Sequence, residues 1–510
     1  MTKKYYITTP IYYVNDVPHI GHAYTTIACD TLARYKRLMG YDVFFLTGTD
    51  EHGQKVENAA KKNNEQPLEL ADRVVRRYDE LWKKLNVSND DFIRTSQDRH
   101  KHVVQEVFKK VMDSGDIYLG EYEDWYCTPC ETFWTEKQLD DGKCPDCKRE
   151  THKLKEESYF FKMSKYQDKL LEHINDNPDF IQPKSRRNEI LSFISEGLRD
   201  LSISRTTFSW GIQVPGNDKH VVYVWFDALL NYLSGIGYAT DDEKFNKYWP
   251  ADVHIIGKDI TRFHAVYWPT FLMAAGIKLP KKIYAHGWWT VEGQKMSKSL
   301  KNVVEPSMLV DTYGVDPIRY FLLREVPFGS DGDFSKAALI HRINSDLAND
   351  LGNLFSRSCS MVVKYFDGII HEVDIITERE KELISIKERV FSNVEENMDQ
   401  LKFNRALISI FELVSAVNKY IDEMAPWTLH KENEKDRLST VMYTILEMIR
   451  IIAFMIYPFM PESALKMLKH LGVNENIADE NLDFDCDFGG IVAGTKILKP
   501  ERLFPRIELE

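Results

Sequence analysis

The first fifty residues constrain the fold of this chain more than any other stretch. Lys4–Thr9 is aromatic and β-branched and reads as a strand. After a turn at Pro18–His22, the residues Ala23, Ile27, Ala28, Leu32, Tyr35 and Leu38 recur at helical spacing and stop at Gly40. Val43–Leu46 then reads as a second buried strand, ending in Thr47-Gly48-Thr49-Asp50. Strand, helix and strand on short joints make a βαβ unit, the building block of a parallel, Rossmann-like α/β sheet. Ligands of such sheets sit beyond the carboxyl ends of the strands, where the residues before His19 and the segment ending at Asp50 fall. Sheet character returns at Val221–Trp225, Val253–Gly257 and Ile283–His286, so the sheet is expected to be split by an insertion.

The intervening stretch, Tyr118 to about Arg205, is rich in turn residues and holds four of the seven cysteines. Cys127-x2-Cys130 and Cys144-x2-Cys147, thirteen residues apart, have the spacing of a tetrahedral zinc site. The alternatives are two disulfides or reduced structural thiols. Four protein ligands would leave no open position, so the zinc would be structural. Cys29, Cys359 and Cys486 read as buried small hydrophobes. Past about residue 335 the pattern becomes helical. No glycine occurs between Gly368 and Gly472, and Leu407, Ile408, Phe411, Val414 and Ser415 step along one helix face. The last 25 residues, from Cys486, are mixed and carry no assignment.

A chain of 510 residues is too long for one core, so two to four domains are expected. The longest apolar stretch, Ile451–Met460, is half of what a membrane span needs. Lys3-Lys4 ahead of the apolar run Tyr5–Val14 could open a signal peptide, but the run leads into His19 and His22 without a small-residue cleavage site. The protein is therefore expected in the cytoplasm. A net charge of −12 argues against general affinity for nucleic acid, so any RNA partner needs a local basic and aromatic surface.

Two motifs carry the chemistry. His19-Ile20-Gly21-His22 places two imidazoles at a helix N-terminus, where N–H groups and the helix dipole attract phosphate. Lys295-Met296-Ser297-Lys298-Ser299, 276 residues on and just past a tight turn at Glu292-Gly293-Gln294, offers two ammonium groups and two hydroxyls. Each is ordinary alone, since histidines often cap helices and lysine loops are usually solvated. In this order the pair resembles the signatures of class I aminoacyl-tRNA synthetases. Further blocks narrow the resemblance to the methionyl-tRNA synthetase family: Thr9–Asn15, Gly48–Gly53, the cysteine pairs, Tyr223–Leu229, Gly257–Ile260 with His264 and Trp268, and Ala425–Trp427.

The resemblance implies a function, a fold and a site. The function is ATP-dependent ligation of methionine to tRNA(Met), initiator and elongator, with Mg²⁺ accompanying ATP and one structural Zn²⁺ at the four cysteines. His19, His22, Lys295 and Lys298 would be catalytic; His19, Gly21, His22, Gly257, Asp259 and Lys298 would bind ATP. The methionine pocket would be Ile11, Tyr13, Trp225, Ala228, Leu229, Tyr232, Ile260, His264 and Trp268, with Asp50 on the α-ammonium group and Arg205 near Asp50 and the tRNA end. An aromatic pocket suits a polarisable thioether, although an isolated Trp in an apolar run is more often core packing. Asn353, Arg357 and Trp427 would read the anticodon; otherwise they are a capped helix and a buried Trp. The expected domains are residues 1–115 and 220–290 for the halves of the catalytic domain and 116–219 for the zinc-bearing insertion. Residues 291–345 would form the lysine loop and stem-contact region, and 346–510 an α-helical anticodon-binding bundle. A monomer is expected. A silent RNA-binding relative would be expected to lose His19, His22 or Lys298, and a small-molecule nucleotidyltransferase would have no use for the helical domain.

Overall fold

The computed structural model describes residues 3–14, 18–130, 132–291, 293–295, 304–373, 376–473 and 486–508. The chain forms two compact units: one of Met1–Cys29, Asp42–Lys83 and Val87–Trp288, the other of Asp30–Tyr41, Lys84–Asn86 and Trp289–Glu510.

The first unit is built on a seven-stranded sheet. Its strands are β1 (Lys4–Thr8), β2 (Tyr12–Tyr13), β3 (Asp42–Asp50), β4 (Asp91–Arg94), β5 (Ile181–Gln182), β6 (Val253–Gly257) and β7 (Ile283–His286). They run in the order β2-β3-β1-β6-β7-β5, with β4 also beside β3, and every pairing is parallel. The split Rossmann-like sheet is therefore present. Strands from both ends of the unit meet at β1 and β6, where Thr8 pairs in register with His254. The near-continuous apolar runs of β1, β3 and β6 follow from burial on both faces.

The insertion contains a four-stranded sheet of Ile117–Cys127, Thr132–Trp134, His152–Phe161 and Leu201–Ser202, paired antiparallel throughout. The run Val221–Trp225 departs from expectation. Asn217–Val222 belongs to a separate antiparallel ribbon with Ser204–Arg205 and Gln213–Val214, and the chain turns helical at Val224–Leu229. A short apolar run has no period that separates strand from buried helix, so the change at Tyr223 leaves no mark in the pattern.

The second unit is mainly helical. A hairpin of Trp289–Val291 and Gln294–Lys295 turns through Gly293 at φ +74° and lies parallel to Gly332–Phe334. Glu378–Asp399, Phe403–Met424 and Lys435–Ile456 are the long helices of the bundle. Phe403–Met424 is amphipathic, but its buried face runs through Ala406, Leu407, Ile410, Leu413, Val414 and Val417. Ile408 and Ser415 point outward, a correction to the face read from the sequence. Among the described residues one helix, Lys435–Ile456, is long and apolar enough to cross a membrane, and its apolar window is wholly buried within the protein. Asp30 and Arg34, from the second half of the helix Ile20–Leu38, join Arg319 in a buried charged knot. Arg319 Nη2 lies 2.6 Å and Arg34 Nε 2.9 Å from Asp30 Oδ2.

Candidate functional site

The His19–His22 motif caps the helix Ile20–Leu38. The N–H of Gly21 donates to Nδ1 of His19 (3.1 Å), and the N–H of His19 donates to Nδ1 of His22 (3.2 Å). With Nδ1 accepting in both rings, each neutral imidazole carries its proton on Nε2. The rings stack at 3.8 Å. Enclosure holds His22 well below the ordinary imidazole range, and the neighbouring His19 adds to the effect. Gly21 is a glycine for a steric reason: a Cβ there would lie 2.9 Å from Cε1 and 3.1 Å from Nδ1 of His19. Tyr12 and Tyr78 back the pair edge-on, 4.8 Å and 5.7 Å from His22.

The residues assigned to a methionine pocket gather at the carboxyl ends of the strands and on the helices after them. Tyr13 pairs in register with Asp50 at the end of β3, and both Ile11 and Tyr13 are half-buried. Trp225 lies flat on Phe263 at 3.7 Å and edge-on to His264 at 6.3 Å. Its Nε1 is buried with no hydrogen-bond partner among the described residues. Phe263 and His264 sit on a π-helical turn, Phe263–Tyr267, a widening that often accompanies function. His264 Nδ1–H donates to Ile260 O (3.0 Å), so its Nε2 accepts from the Tyr232 hydroxyl (2.7 Å). Burial lowers the His264 pKa to about 4, so the ring is neutral. Tyr232 stacks at 4.1 Å on His254, whose Nε2 accepts from the Trp268 indole (3.3 Å) and whose Nδ1 meets Thr8 Oγ1 (2.7 Å). Ala228, Leu229, Tyr232, His264 and Trp268 are buried, while Ile11, Tyr13, Trp225 and Ile260 retain partial exposure. Arg205 is buried against Ser202 and Ser204, with its guanidinium 4.6 Å from the Tyr223 ring centre.

A buried clasp ties the segment after Asp50 to the helix Val224–Leu229. Asp227 accepts from His52 Nδ1 and His100 Nε2, both at 2.7 Å. Burial pushes the Asp227 carboxyl up, but the two imidazoles outweigh it and hold the group below its ordinary range. Gly257 ends β6, the neighbour of β1 in the sheet, and a Cβ on it would lie 2.7 Å from Asp259 Oδ1. Lys295 ends the hairpin of the second unit; Met296, Ser297, Lys298 and Ser299 lie outside the described residues.

The four cysteine sulfurs lie within 4.8 Å of one another. Cys127 Sγ is 3.5 Å from Cys147 Sγ, and Cys144 Sγ 3.8 Å from Cys130 Sγ. These separations are far too long for disulfides. They fit four thiolates around one tetrahedral ion, for which sulfurs ~2.3 Å from the metal sit about 3.8 Å apart. Arg262 reaches this knuckle, its Nη2 3.0 Å from Asp146 Oδ1 and its guanidinium 4.9 Å from the Trp134 ring centre.

In the helical unit, Asn353 starts the helix Asn353–Phe366 and is exposed, with Arg357 one turn on. Arg357 Nη2 lies 3.3 Å from Asp422. Asp422 lies in the last turn of the helix Phe403–Met424, and Ala425 (φ +41°) then turns the chain into Pro426–Lys431. Trp427 on that turn is 46% exposed, which removes a core role for it.

Sequence reading missed Phe263, Tyr78, His254 and the Asp227 clasp. Phe263 neighbours His264 in a block already singled out. The clasp joins residues 175 and 127 positions apart, a distance no local pattern spans.

Comparison with known proteins bears on the whole chain. A family model described as "tRNA synthetases class I (M)" matches residues 5–156 and 149–359, and one described as "Anticodon binding domain of methionyl tRNA ligase" matches 370–510. The chain is 56% identical over 513 residues to a methionine–tRNA ligase of Caldanaerobacter subterraneus subsp. tengcongensis, covering 100% of this chain and 80% of that relative. It is 54% identical over 511 residues to one of Clostridium tetani, covering 100% and 79%. Among solved structures, Mycobacterium tuberculosis methionyl-tRNA synthetase in complex with methionyl-adenylate is similar at a TM-score of 0.95 and 47% identity, over 99% of this chain and 100% of that one. The apo form of that synthetase is similar at 0.88 and 43%, over 100% and 99%.

Proposed function

The chain belongs to the methionyl-tRNA synthetases, a class I family, and from that membership we propose how its residues divide the two steps of methionine–tRNA ligation. In the first step the methionine carboxylate attacks the α-phosphorus of ATP, pyrophosphate leaves and methionyl-adenylate forms. In the second the 2′-hydroxyl of the terminal adenosine of tRNA attacks the adenylate carbonyl, and AMP leaves. Neither step needs an enzyme nucleophile, so positioning and charge stabilisation supply the acceleration.

The observation that carries the residue roles is the stacked histidine pair. Both Nδ1 atoms accept from backbone N–H groups, so each ring carries its proton on Nε2 as a donor, at the N-terminus of a 19-residue helix. Those donors meet phosphate oxygens as charge builds on them. Lys295 and Lys298 take the β- and γ-phosphates and the departing pyrophosphate. Gly257 and Asp259 hold the nucleotide, Asp259 through the ribose. Asp50 receives the α-ammonium group of methionine, a charge-assisted pair. The thioether lies against the Trp225–Phe263 stack, where sulfur–aromatic contact favours it. Tyr232, His264 and Trp268 form the wall behind. Asn353, Arg357 and the exposed Trp427 take the anticodon by hydrogen bonding and stacking.

The proposed domains are those drawn from the sequence, with the cysteine-bearing insertion at 116–219, except that β5 within that range joins the parallel sheet of the catalytic unit. The insertion's four thiolates are read as the ligands of one structural Zn²⁺, and Mg²⁺ is read as arriving with ATP on its phosphates. Elemental analysis should find about one zinc per chain; a metal-free, fully active protein would refute that. The chain is further read as a cytoplasmic monomer that charges initiator and elongator tRNA(Met), to be checked by sedimentation and by charging each tRNA separately. The central test is ATP–pyrophosphate exchange, run without tRNA across all twenty amino acids. Exchange with methionine alone, abolished in a folded Lys298→Ala variant, supports the assignment. No exchange with any amino acid, from folded protein with Mg²⁺-ATP, overturns it.

A further inference from the structure

The ends of β6 and β7 deliver two side chains to one place. Gly257 and His286 are register partners, so Asp259 and Trp288, each two residues further on, leave the sheet side by side. The Trp288 indole N–H donates to Asp259 Oδ1 at 3.0 Å. The Lys258 ammonium sits 4.2 Å from the centre of the same indole ring. Both Asp259 and Trp288 are exposed, Trp288 by 36%, so neither contact serves to fill a core. Hydrogen bond and cation–π contact together order an indole that burial does not. Nor can the carboxylate take this position unless residue 257 lacks a side chain, since a Cβ there would lie 2.7 Å from the same Oδ1.

A surface aspartate normally turns freely about its last torsion, which is broad and two-fold. Here one oxygen is engaged, and among the described residues none donates to the other, which remains to accept. We propose that Trp288 is a positioning residue for the nucleotide: by holding Oδ1 of Asp259, it presents Oδ2 to a ribose hydroxyl of the bound nucleoside triphosphate. Recognition of the intact ribose then depends on an indole that acts only through the carboxylate it holds. Pre-orientation lowers the ordering cost that the nucleotide would otherwise meet on binding. The inference rests on the reading of Asp259 as the ribose partner.

The test is methionine-dependent ATP–pyrophosphate exchange with ATP, 2′-deoxyATP and 3′-deoxyATP. It uses the full chain, Trp288→Phe, Asp259→Ala and the double variant. Phe keeps a ring under Lys258 and removes only the N–H. Trp288→Phe should raise the KM for ATP roughly three- to tenfold, the worth of one hydrogen bond, and leave the KM for methionine unchanged. The penalty for the deoxy analogue that lacks the held hydroxyl should shrink by the same factor. In the Asp259→Ala background the second substitution should change nothing further. Deoxy penalties in Trp288→Phe equal to those of the unaltered chain overturn the inference, as does a matching rise in the KM for methionine. An unaltered chain with no penalty for either deoxy analogue overturns the ribose reading of Asp259 itself.

Discussion

Replacing Glu380 by Gln should loosen the corner that carries Trp427. Glu380 is the third helical residue of a capping box at the start of Glu378–Asp399, and its side chain is fully buried. Its carboxylate accepts from the Thr377 N–H at 2.8 Å, from Arg437 at 2.7 and 3.0 Å, and from the Tyr420 hydroxyl. Burial alone would raise its pKa, but these donors, Arg437 foremost, pull it from 4.5 down to about 2. A fall of about 2.5 units at 1.36 kcal/mol each is about 3 kcal/mol of stability. The same pairing raises Arg437, so the two shifts describe one interaction. Breaking one partner of a buried ion pair costs ~3–5 kcal/mol, which agrees. Because the folded pKa is depressed, this stability is fully present above about pH 4.5 and is lost as pH falls toward 2. Calorimetry of the full chain at pH 7 should show the transition of the helical unit about 6–12 °C lower in Glu380→Gln, with the gap closing at low pH. Arg437 Nη2 also lies 3.8 Å from Met424 Sδ, just before Ala425 and Trp427. Charging of tRNA should therefore fall while ATP–pyrophosphate exchange persists. An unchanged melting temperature, or a gap as wide at pH 3 as at pH 7, would refute the reasoning.

Three further outcomes are expected. Gly21→Ala should lower kcat/KM for ATP in the exchange reaction by at least about tenfold at nearly unchanged melting temperature, because the added Cβ displaces the His19 ring and its N–H···Nδ1 bond. His264, neutral in the fold with a pKa of about 4, should make stability fall as pH drops from about 6.5 toward 4, by about 3 kcal/mol. His264→Gln should flatten that part of a pH series of urea unfolding curves. Trp427→Ala should weaken tRNA charging far more than adenylate formation, and equal losses in the two steps would point to a structural defect instead.

What the sequence made legible was local. The βαβ opening could be read because β1, the helix and β3 each hold one period and a turn separates them. The four-cysteine cluster could be read because ligand geometry dictates spacing, and the four sulfurs do converge. The short strand Tyr12–Tyr13 was not legible: it exists only because β3 offers Thr49 and Asp50 as partners. Likewise Trp225, read as part of a strand, lies on a helix, since Val221–Trp225 is apolar through both a strand and the first turn of a helix. The outward Ile408 shows the same limit on a helix, where packing against neighbours, not apolarity, chooses the buried face. The Trp225–Phe263 stack and the Asp227 clasp arise from residues far apart in the chain, and composition holds no trace of them.

The pairing of β1 with β6 also has a consequence for how the protein is made. Thr8 meets His254 across 246 positions. At ~5–20 residues per second, a ribosome needs roughly 12–50 s to travel that far. Throughout that interval β1 presents an unpaired parallel edge, which is a template for association with other nascent chains. Translation that stalls before Val253 therefore releases fragments with an open sheet, while a short further stretch of synthesis closes it.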